Sequence, residues 1–221
     1  MLVEICASTY QSAINAQKAG AHRIELCADL SVGGLTPNYD LTAQLVRDMS
    51  IPINVLIRPR KGNFVYSDNE FEQMLIDIDH CKKLGCHGIV SGVLNSDNTI
   101  DIDRTSQFIA RSHPLEFTFH RAFDSTPDAH MALKDLILMG VDRILTSGHS
   151  ETAQEGLLRL CQLKKVSQDK LTILVGGSVR ATNINVFKKK GFDEVHSSAL
   201  LPYSRHSDLD EIRNLVKLAE S

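Results

Sequence analysis

The chain lacks the features that mark membrane, exported or nucleic-acid-binding proteins. It has no run of about 20 apolar residues, the length that spans a bilayer. Lysine and arginine are scattered and the formal net charge is −3, which disfavours a nucleic-acid surface. The N-terminal segment Met1–Cys6 shows neither the basic nor the apolar part of a signal peptide. We therefore expect a cytoplasmic protein that binds neither nucleic acid nor membrane.

The five cysteines do not form a disulfide framework. They are Cys6, Cys27, Cys81, Cys86 and Cys161, an odd number with irregular spacing. The chain contains no CxxC, which excludes a zinc knuckle or a thioredoxin-type motif. Free thiols are therefore predicted. We also expect no organic cofactor.

A short sequence pattern recurs four times along the chain. Four segments contain a glycine followed by one or two polar residues and a short apolar stretch, at Gly20, Gly85, Gly140 and Gly191. Each phrase is typical of a helix that ends at a glycine with positive φ before a strand begins. The intervals of 65, 55 and 51 residues are about twice a strand-plus-helix unit. The sequence thus predicts eight such units.

Apolar periodicity places these units along the whole chain. The predicted strands are 2–6, 22–27, 53–58, 87–92, 115–120, 142–147, 172–176 and 193–198. The predicted helices are 8–19, 40–48, 68–84, 102–112, 126–139, 151–166, 180–190 and 207–219, with N-caps at Asp68 and Ser207. Regular alternation indicates an α/β protein, a single (β/α)₈ TIM-barrel domain over residues 1–221. An open doubly wound sheet is the alternative, which the absence of a GxGxxG after the first strand disfavours.

Strand parity predicts which side chains lie inside the barrel. Alternate residues of a strand face opposite sides, and the outer side must be apolar to receive the helices. Val3 and Ile5 then point outward, which leaves Glu4 and Cys6 inside. The side chains predicted by this rule to share one cavity at the carboxyl ends of the strands are Glu4, Cys6, Glu25, Cys27, Arg58, His120 and His196.

Two kinds of chemistry are compatible with this interior. Cys6 and Cys27 end adjacent strands with the same parity, and a thiolate pair suits a soft ion such as Cu(I). Cysteine also packs commonly as a small buried hydrophobe, so a purely structural role stays open. In an enzyme, His120 would act as acid or base, with Glu25 and Glu4 as further catalytic candidates.

Arginines and glycines at the strand ends predict an anion site. Arg58, Arg60 and Arg121 follow the third and fifth strands, where guanidinium groups can hold phosphate or carboxylate. Gly176 and Gly177 follow the seventh strand, a place where such barrels often bind phosphate. The alternatives are an interior ion network of Glu4, Glu25 and Arg58, and a plain tight turn at the glycines. The glycine-containing loops 33–37 and 61–66 are candidate lids.

Several short segments, distributed in order along nearly the whole chain, carry a resemblance to a known protein family. They are Glu4-Ile-Cys6, Gly20-Ala-His-Arg-Ile-Glu-Leu-Cys27, Gly33-Gly-Leu-Thr-Pro37, Ile57-Arg-Pro-Arg60 with Phe64 to Glu70, Thr118-Phe-His-Arg-Ala-Phe-Asp124, Arg143-Ile-Leu-Thr-Ser-Gly148 and Gly176-Gly177. Together they resemble the CutC copper homeostasis family. The resemblance implies a (β/α)₈ barrel, a cytoplasmic location, a homo-oligomer (dimer or tetramer), and copper handling with Cys6 and Cys27 as Cu(I) ligands.

The polar side chains predicted at the carboxyl ends of the strands are compatible with two functional hypotheses. The first is a Cu(I)-binding homeostasis protein that uses Cys6 and Cys27. The second is a barrel enzyme that acts on a small anionic metabolite, a phosphate or carboxylate compound, with His120 as general acid or base. The expected partners are accordingly a copper ion, a small anionic ligand, or both.

Overall fold

The computed structural model describes residues 1–168 and 170–221 and shows a closed barrel of eight parallel strands in chain order. The strands are β1 (Leu2–Ala7), β2 (Arg23–Leu26), β3 (Ile53–Leu56), β4 (Gly88–Ser91), β5 (Glu116–Phe119), β6 (Arg143–Thr146), β7 (Thr172–Val175) and β8 (Glu194–Ser197). The helices are α1 (Tyr10–Lys18), α2 (Tyr39–Asp48), α3 (Asp68–Leu84), α4 (Ile102–Ser112), α5 (Ala129–Met139), α6 (Leu157–Ser167), α7 (Ile184–Lys189) and α8 (Leu209–Glu220). The predicted (β/α)₈ barrel is confirmed, and the open sheet is excluded.

The strand register closes the barrel and separates two cores. β1 pairs with β2 on one side and with β8 on the other, where Glu4 lies opposite His196. Outward-facing residues such as Val3 and Ile24 are fully buried between the strands and the helices. A smaller apolar cluster lies inside the barrel and consists of Cys6, Cys27, Leu56 and Val90, with Leu30 packed against it. The polar side chains of the barrel therefore share its interior with few aliphatic residues.

The recurring glycines occupy the predicted junctions. Gly85 ends α3 and Gly140 ends α5, with φ values of 85° and 76°. A residue with a side chain rarely adopts this left-handed conformation, which explains why glycine recurs before the next strand.

Several helices begin later than their periodicity predicts. The helix predicted from residue 126 begins at Ala129, because Asp128 caps it after Pro127. Those predicted from 151 and 180 begin at Leu157 and Ile184, since turns precede them. The predicted caps are each one residue off: Ser67 caps α3 through a capping box with Glu70, and Asp208 caps α8. None of the helices among the described residues is long and apolar enough to cross a membrane.

Candidate functional site

A cavity of about 260 Å³ opens at the carboxyl ends of the strands. This is the end where the loops from strands to helices meet, and where barrels of this kind carry their chemistry. Its lining comprises Cys6, Glu25, Leu30, Gly33, Leu56, Arg58, Phe64, His120, Arg121, Leu145, Gly177, Ser178, Arg180, His196, Ser197 and Ser198. Both candidate lid loops contribute to it, through Gly33 and Phe64.

Five of the seven side chains predicted to share the cavity line it, and two do not. Glu4 is fully buried one layer deeper, two residues before Cys6 on β1. Cys27 is also fully buried, because it lies just beyond the end of β2 beneath the loop at Gly34. The prediction of one shared cavity is therefore wrong for Glu4 and Cys27, although both lie inside the barrel.

The two predicted metal ligands are in contact with each other. The sulfur atoms of Cys6 and Cys27 are 3.4 Å apart. Cys6 is 4% exposed and lines the cavity, whereas Cys27 lies behind it and also approaches the carbonyl oxygen of Ala7. Adjacent parallel strands with matched parity produce this contact, since Cys6 and Glu25 are register partners and Cys27 follows two residues later.

Glycine is required at the loop that covers this thiol pair. Gly34 has a φ of 89°, and a Cβ atom on it would lie 2.7 Å from Cδ2 of Leu56 and 3.5 Å from Cβ of Cys27. Both the backbone conformation and the packing therefore exclude a side chain here. The loop seals Cys27 from solvent and leaves Cys6 as the thiol that faces the cavity.

The thiol and carboxyl groups at the cavity floor hold their protons to unusually high pH. The hydrogen bond with Cys27, together with burial, raises the pKa of Cys6 well above the usual thiol range. Cys6 also donates to Oε1 of Glu25 at 3.7 Å. Burial raises the pKa of Glu25 to about 7 against the opposing effect of His196. Oε2 of Glu25 is buried and has no hydrogen-bond partner among the residues that the structure describes.

His196 connects the floor of the cavity to the layer below. Its Nδ1 is 2.8 Å from Oε1 of Glu4 and 3.9 Å from Oε2 of Glu25. Burial opposes a charged imidazolium, but Glu25 and Glu4 together raise the pKa of His196. One potential ligand atom from each of Cys6, Glu25 and His196 lies within 4.8 Å of the others, a spacing that suits a metal ion.

The interior ion network exists, but with different members. Glu4 pairs with Nε of Arg23 at 2.5 Å, and Nη2 of Arg23 reaches Glu194 at 2.6 Å. Burial opposes ionisation of Glu4, yet Arg23 and His196 lower its pKa to about 2. The alternative network of Glu4, Glu25 and Arg58 is therefore wrong, because Arg23 takes the place assigned to Arg58. Parity could have found Arg23, which is two residues before Glu25 on β2.

Arg58 is buried without an acidic partner. Its Nη1 donates to the carbonyl oxygens of Val32 and Gly34 at 2.8 and 3.0 Å, and its Nη2 donates to that of Gly62 at 3.0 Å. The side chain is 6% exposed and packs over the ring of Phe64, and its Nε has no hydrogen-bond partner in the described part of the chain. No ion pair forms between Arg58 and a carboxylate of residues 1–168 or 170–221. Its charge is therefore fixed at the cavity wall and not neutralised.

Of the other predicted anion-site residues, Arg121 and Gly177 line the same cavity as Arg58, whereas Arg60 and Gly176 do not. Arg60 does not line the cavity, because its Nε pairs with Glu70 at 2.6 Å. Arg121 does line it but pairs with Asp124 at 2.8 Å. Gly177 is part of the lining, whereas Gly176 is not: a Cβ there would lie 2.5 Å from Leu145. Gly176 thus serves close packing.

His120 lies at the cavity wall as a neutral imidazole. Its Nδ1 accepts the backbone N–H of Ala122 at 3.2 Å, so that Nε2 carries the hydrogen. Burial and then the positive charge of Arg58 lower its pKa to about 3. Nε2 is buried and has no partner within the described part of the chain. The geometry therefore offers a hydrogen-bond donor and not a base at neutral pH.

Arg180 is the cavity residue that the sequence reasoning missed. It follows β7, and its Nη1 donates to Oγ of Ser197 and to the carbonyl oxygen of Val179, both at 2.9 Å. The sequence predicts a phosphate location after the seventh strand, but through Gly176 and Gly177 and without Arg180. An arginine three residues beyond Gly177 was the available signal.

Comparison with known proteins identifies the family. The family model described as CutC family matches residues 1–201. The chain belongs to the CutC family. A CutC family protein of Salmonella typhimurium is 45% identical over 204 residues, which cover 91% of this chain and 82% of that protein. A CutC family protein of Chromobacterium violaceum is 41% identical, covering 90% of this chain and 81% of that protein.

Solved structures agree with this assignment to the CutC family. The crystal structure of CutC from Streptococcus agalactiae, whose name ascribes it provisionally to copper homeostasis, has a TM-score of 0.85 and 34% identity. The matched region covers 90% of this chain and 98% of the Streptococcus agalactiae chain. A phosphoribosylanthranilate isomerase from Thermotoga maritima, with a TM-score of 0.66 and 12% identity, covers 100% of this chain and 98% of that one. At this identity it shows the shared barrel fold alone.

Proposed function

We propose that this CutC family protein binds Cu(I) as cargo through Cys6 and Cys27. The observation that carries the proposal is the 3.4 Å separation of the two sulfur atoms at the cavity floor. A single ion can bridge two sulfurs up to about 4.5 Å apart, twice a metal–sulfur bond slightly shorter than the roughly 2.3 Å of zinc–sulfur. Thiolates are also the ligand type that selects Cu(I) over harder ions.

The cavity supplies an entry path and a third ligand. Cys6 faces the cavity while Cys27 is sealed behind it, so the ion would reach Cys6 first. His196 lies near enough to Cys6 to complete a three-coordinate site, and Glu25 is a harder alternative. Because the pKa of Cys6 is raised, binding releases a proton and the apparent affinity increases with pH.

A competition titration tests the copper proposal. Reduced protein is titrated with Cu(I) against a chromogenic chelator, in parallel with Cys6→Ser, Cys27→Ser and the control Cys161→Ser, whose thiol lies on α6. We expect one tight site in the wild type and the control, and its loss in each of the other variants. Equal affinity in all four proteins would overturn the proposal.

A second function, binding of a small anion by a barrel enzyme, is favoured by a different observation. Within residues 1–168 and 170–221, Arg58 is buried at the cavity wall without a carboxylate partner, and Nε2 of His120 has no hydrogen-bond partner. A buried charge without a counter-ion costs several kcal/mol by order of magnitude, which a bound anion would offset. His120 would then donate a hydrogen bond to the ligand, and Glu25 would be the nearby carboxyl group available for proton transfer.

Calorimetric titration with acetate and with inorganic phosphate tests the second function. Arg58→Gln should weaken the binding of one of these anions by roughly tenfold or more. Arg60→Gln is the matched control, since Arg60 does not line the cavity. Unchanged affinity in folded Arg58→Gln would refute a role for Arg58. Assembly into a homo-oligomer and a cytoplasmic location stay predictions.

A further inference from the structure

Three polar side chains beyond the ends of β7 and β8, those of Ser178, Arg180 and Ser198, have no part in the copper proposal. The thiols lie at the ends of β1 and β2, whereas Ser178, Arg180 and Ser198 line the cavity beyond the ends of β7 and β8. These three side chains are all polar, and one of them is cationic. Their arrangement therefore calls for a separate explanation.

Arg180 is held in a fixed orientation by neutral groups only. Its Nη1 donates to Val179 and Ser197, and its Nη2 makes longer contacts with Oγ of Ser198 at 3.4 Å and with the carbonyl oxygen of Leu200 at 3.3 Å. Within residues 1–168 and 170–221 it forms no ion pair. The guanidinium thus keeps its full charge at the cavity wall.

Two serines beside Arg180 have hydroxyl groups suited to donate to a ligand. Oγ of Ser198 accepts from Arg180 and, at 3.5 Å, from the backbone N–H of Leu200, so its own hydrogen can go to a third partner. Ser178 is exposed on the cavity surface directly after Gly177. The hydroxyl group of Ser197, by contrast, donates its hydrogen bond to the carbonyl oxygen of Val179 at 2.7 Å. The neighbouring serines therefore differ in role.

We infer that Ser178, Arg180 and Ser198 form a phosphate subsite, and that the cavity takes a small phosphorylated metabolite. The inference rests on the second proposed function, binding of a small anion. Donors from two different loops, one of them a guanidinium, suit the several oxygen atoms of a phosphate group. Barrels of this architecture frequently bind phosphate at the loops after the seventh and eighth strands.

The opposite wall of the cavity suits the rest of such a molecule. Arg58 lies beyond the end of β3, the strand opposite β7 in the barrel and hence across from Arg180, and the N–H of His120 lies beyond the end of β5. They offer donors to a carbonyl or carboxylate oxygen, while Leu30, Leu56 and Phe64 supply apolar contacts. A volume of about 260 Å³ limits the ligand to a small molecule.

Phosphorus NMR titration with inorganic phosphate tests the subsite on the full chain. We expect Arg180→Gln to weaken phosphate binding by roughly tenfold and Ser198→Ala by roughly threefold. Arg213→Gln is the control, because Arg213 is an exposed arginine of α8. If Arg180→Gln does not fold, Ser198→Ala and Ser178→Ala decide alone, since both leave Arg180 in place.

The outcomes separate this inference from the function on which it rests. Wild-type affinity for phosphate in Arg180→Gln and Ser198→Ala, with loss in Arg58→Gln, would place the anion on the other wall. The phosphate subsite would then be refuted while anion binding survives. If the wild type binds neither phosphate nor acetate, both the subsite and the second proposed function fail.

Discussion

The barrel interior contains two charged regions that differ in whether their charges have partners. In the lower region, towards the amino ends of the strands, each charged side chain is paired within the protein. Its members are Glu4, Arg23, Glu116, Arg143 and Glu194. In the upper region, at the cavity, the guanidinium groups of Arg58 and Arg180 donate to neutral groups and form no ion pair within residues 1–168 and 170–221. Two further buried atoms there, Nε2 of His120 and Oε2 of Glu25, have no hydrogen-bond partner among the same residues.

This difference distinguishes polar side chains that stabilise the fold from polar side chains that are available to bind a ligand. A buried charge is tolerated when it is paired and hydrogen-bonded, and the lower region meets this condition without any ligand. The upper region leaves donors and acceptors unused, which native proteins rarely do away from functional sites. We therefore expect substitutions in the lower region to affect stability most, and those in the upper region to affect ligand binding most.

The largest effect on stability is expected from Glu4→Gln. The change leaves the buried guanidinium of Arg23 with Glu194 as its one remaining acidic partner, and we expect the free energy of unfolding to fall by about 3 kcal/mol. Urea unfolding at neutral pH measures it. The matched control is Glu70→Gln, which breaks a partly exposed pair with Arg60 and should cost less than about 1 kcal/mol. Equal losses in the two variants would remove the distinction between the regions.

Gly34→Ala should have the next largest effect. A Cβ at this position meets Leu56 at 2.7 Å and the φ is 89°, so we expect a loss of about 2 kcal/mol and greater exposure of Cys27. The control is Gly140→Ala, where φ is 76° but no atom lies within 4 Å of the Cβ position, so that only the backbone cost of about 1 kcal/mol remains. Faster alkylation of Cys27 in Gly34→Ala would report the opened loop. An alkylation rate equal to that of the wild type would contradict the covering role.

Lowering the pH should reduce the stability difference between the wild type and Glu4→Gln. The pKa of Glu4 is lowered to about 2 from its ordinary 4.5, so its stabilisation is complete above about 4.5 and disappears as the pH falls towards about 2. The difference in unfolding free energy between the two proteins should therefore shrink over this window. Urea unfolding at a series of pH values checks it. A constant difference would indicate that Glu4 is not ionised in the folded protein.

Arg60→Gln is expected to have the smallest effect. Arg60 pairs with Glu70 at a partly exposed position outside the cavity lining, so we expect a stability change below about 1 kcal/mol and no change in anion binding. Calorimetric titration with phosphate checks the second expectation. A clear loss of anion affinity would indicate that Arg60 contributes to anion binding and belongs to the upper region.

The sequence predicted the barrel and most of the cavity because both follow from local periodicity. Parity placed Cys6, Glu25 and His120 correctly inside, since alternation along a strand determines the facing side. The partners of the arginines could not be predicted, because they depend on loops: Arg58 is held by carbonyl groups of residues 32 and 34, and Arg60 turns to Glu70. The burial of Cys27 likewise depends on how the Gly34 loop folds over it.

X-ray absorption spectroscopy of the reduced protein loaded with one equivalent of Cu(I) measures directly which atoms bind the ion. We expect two sulfur ligands at slightly less than about 2.3 Å, with a nitrogen from His196 as the candidate third ligand. Cys6→Ser should lose one sulfur from this shell, because the thiols of Cys6 and Cys27 are in contact. A shell of nitrogen and oxygen alone, or one unchanged in Cys6→Ser, would contradict the claim that the thiol pair at the cavity floor binds copper.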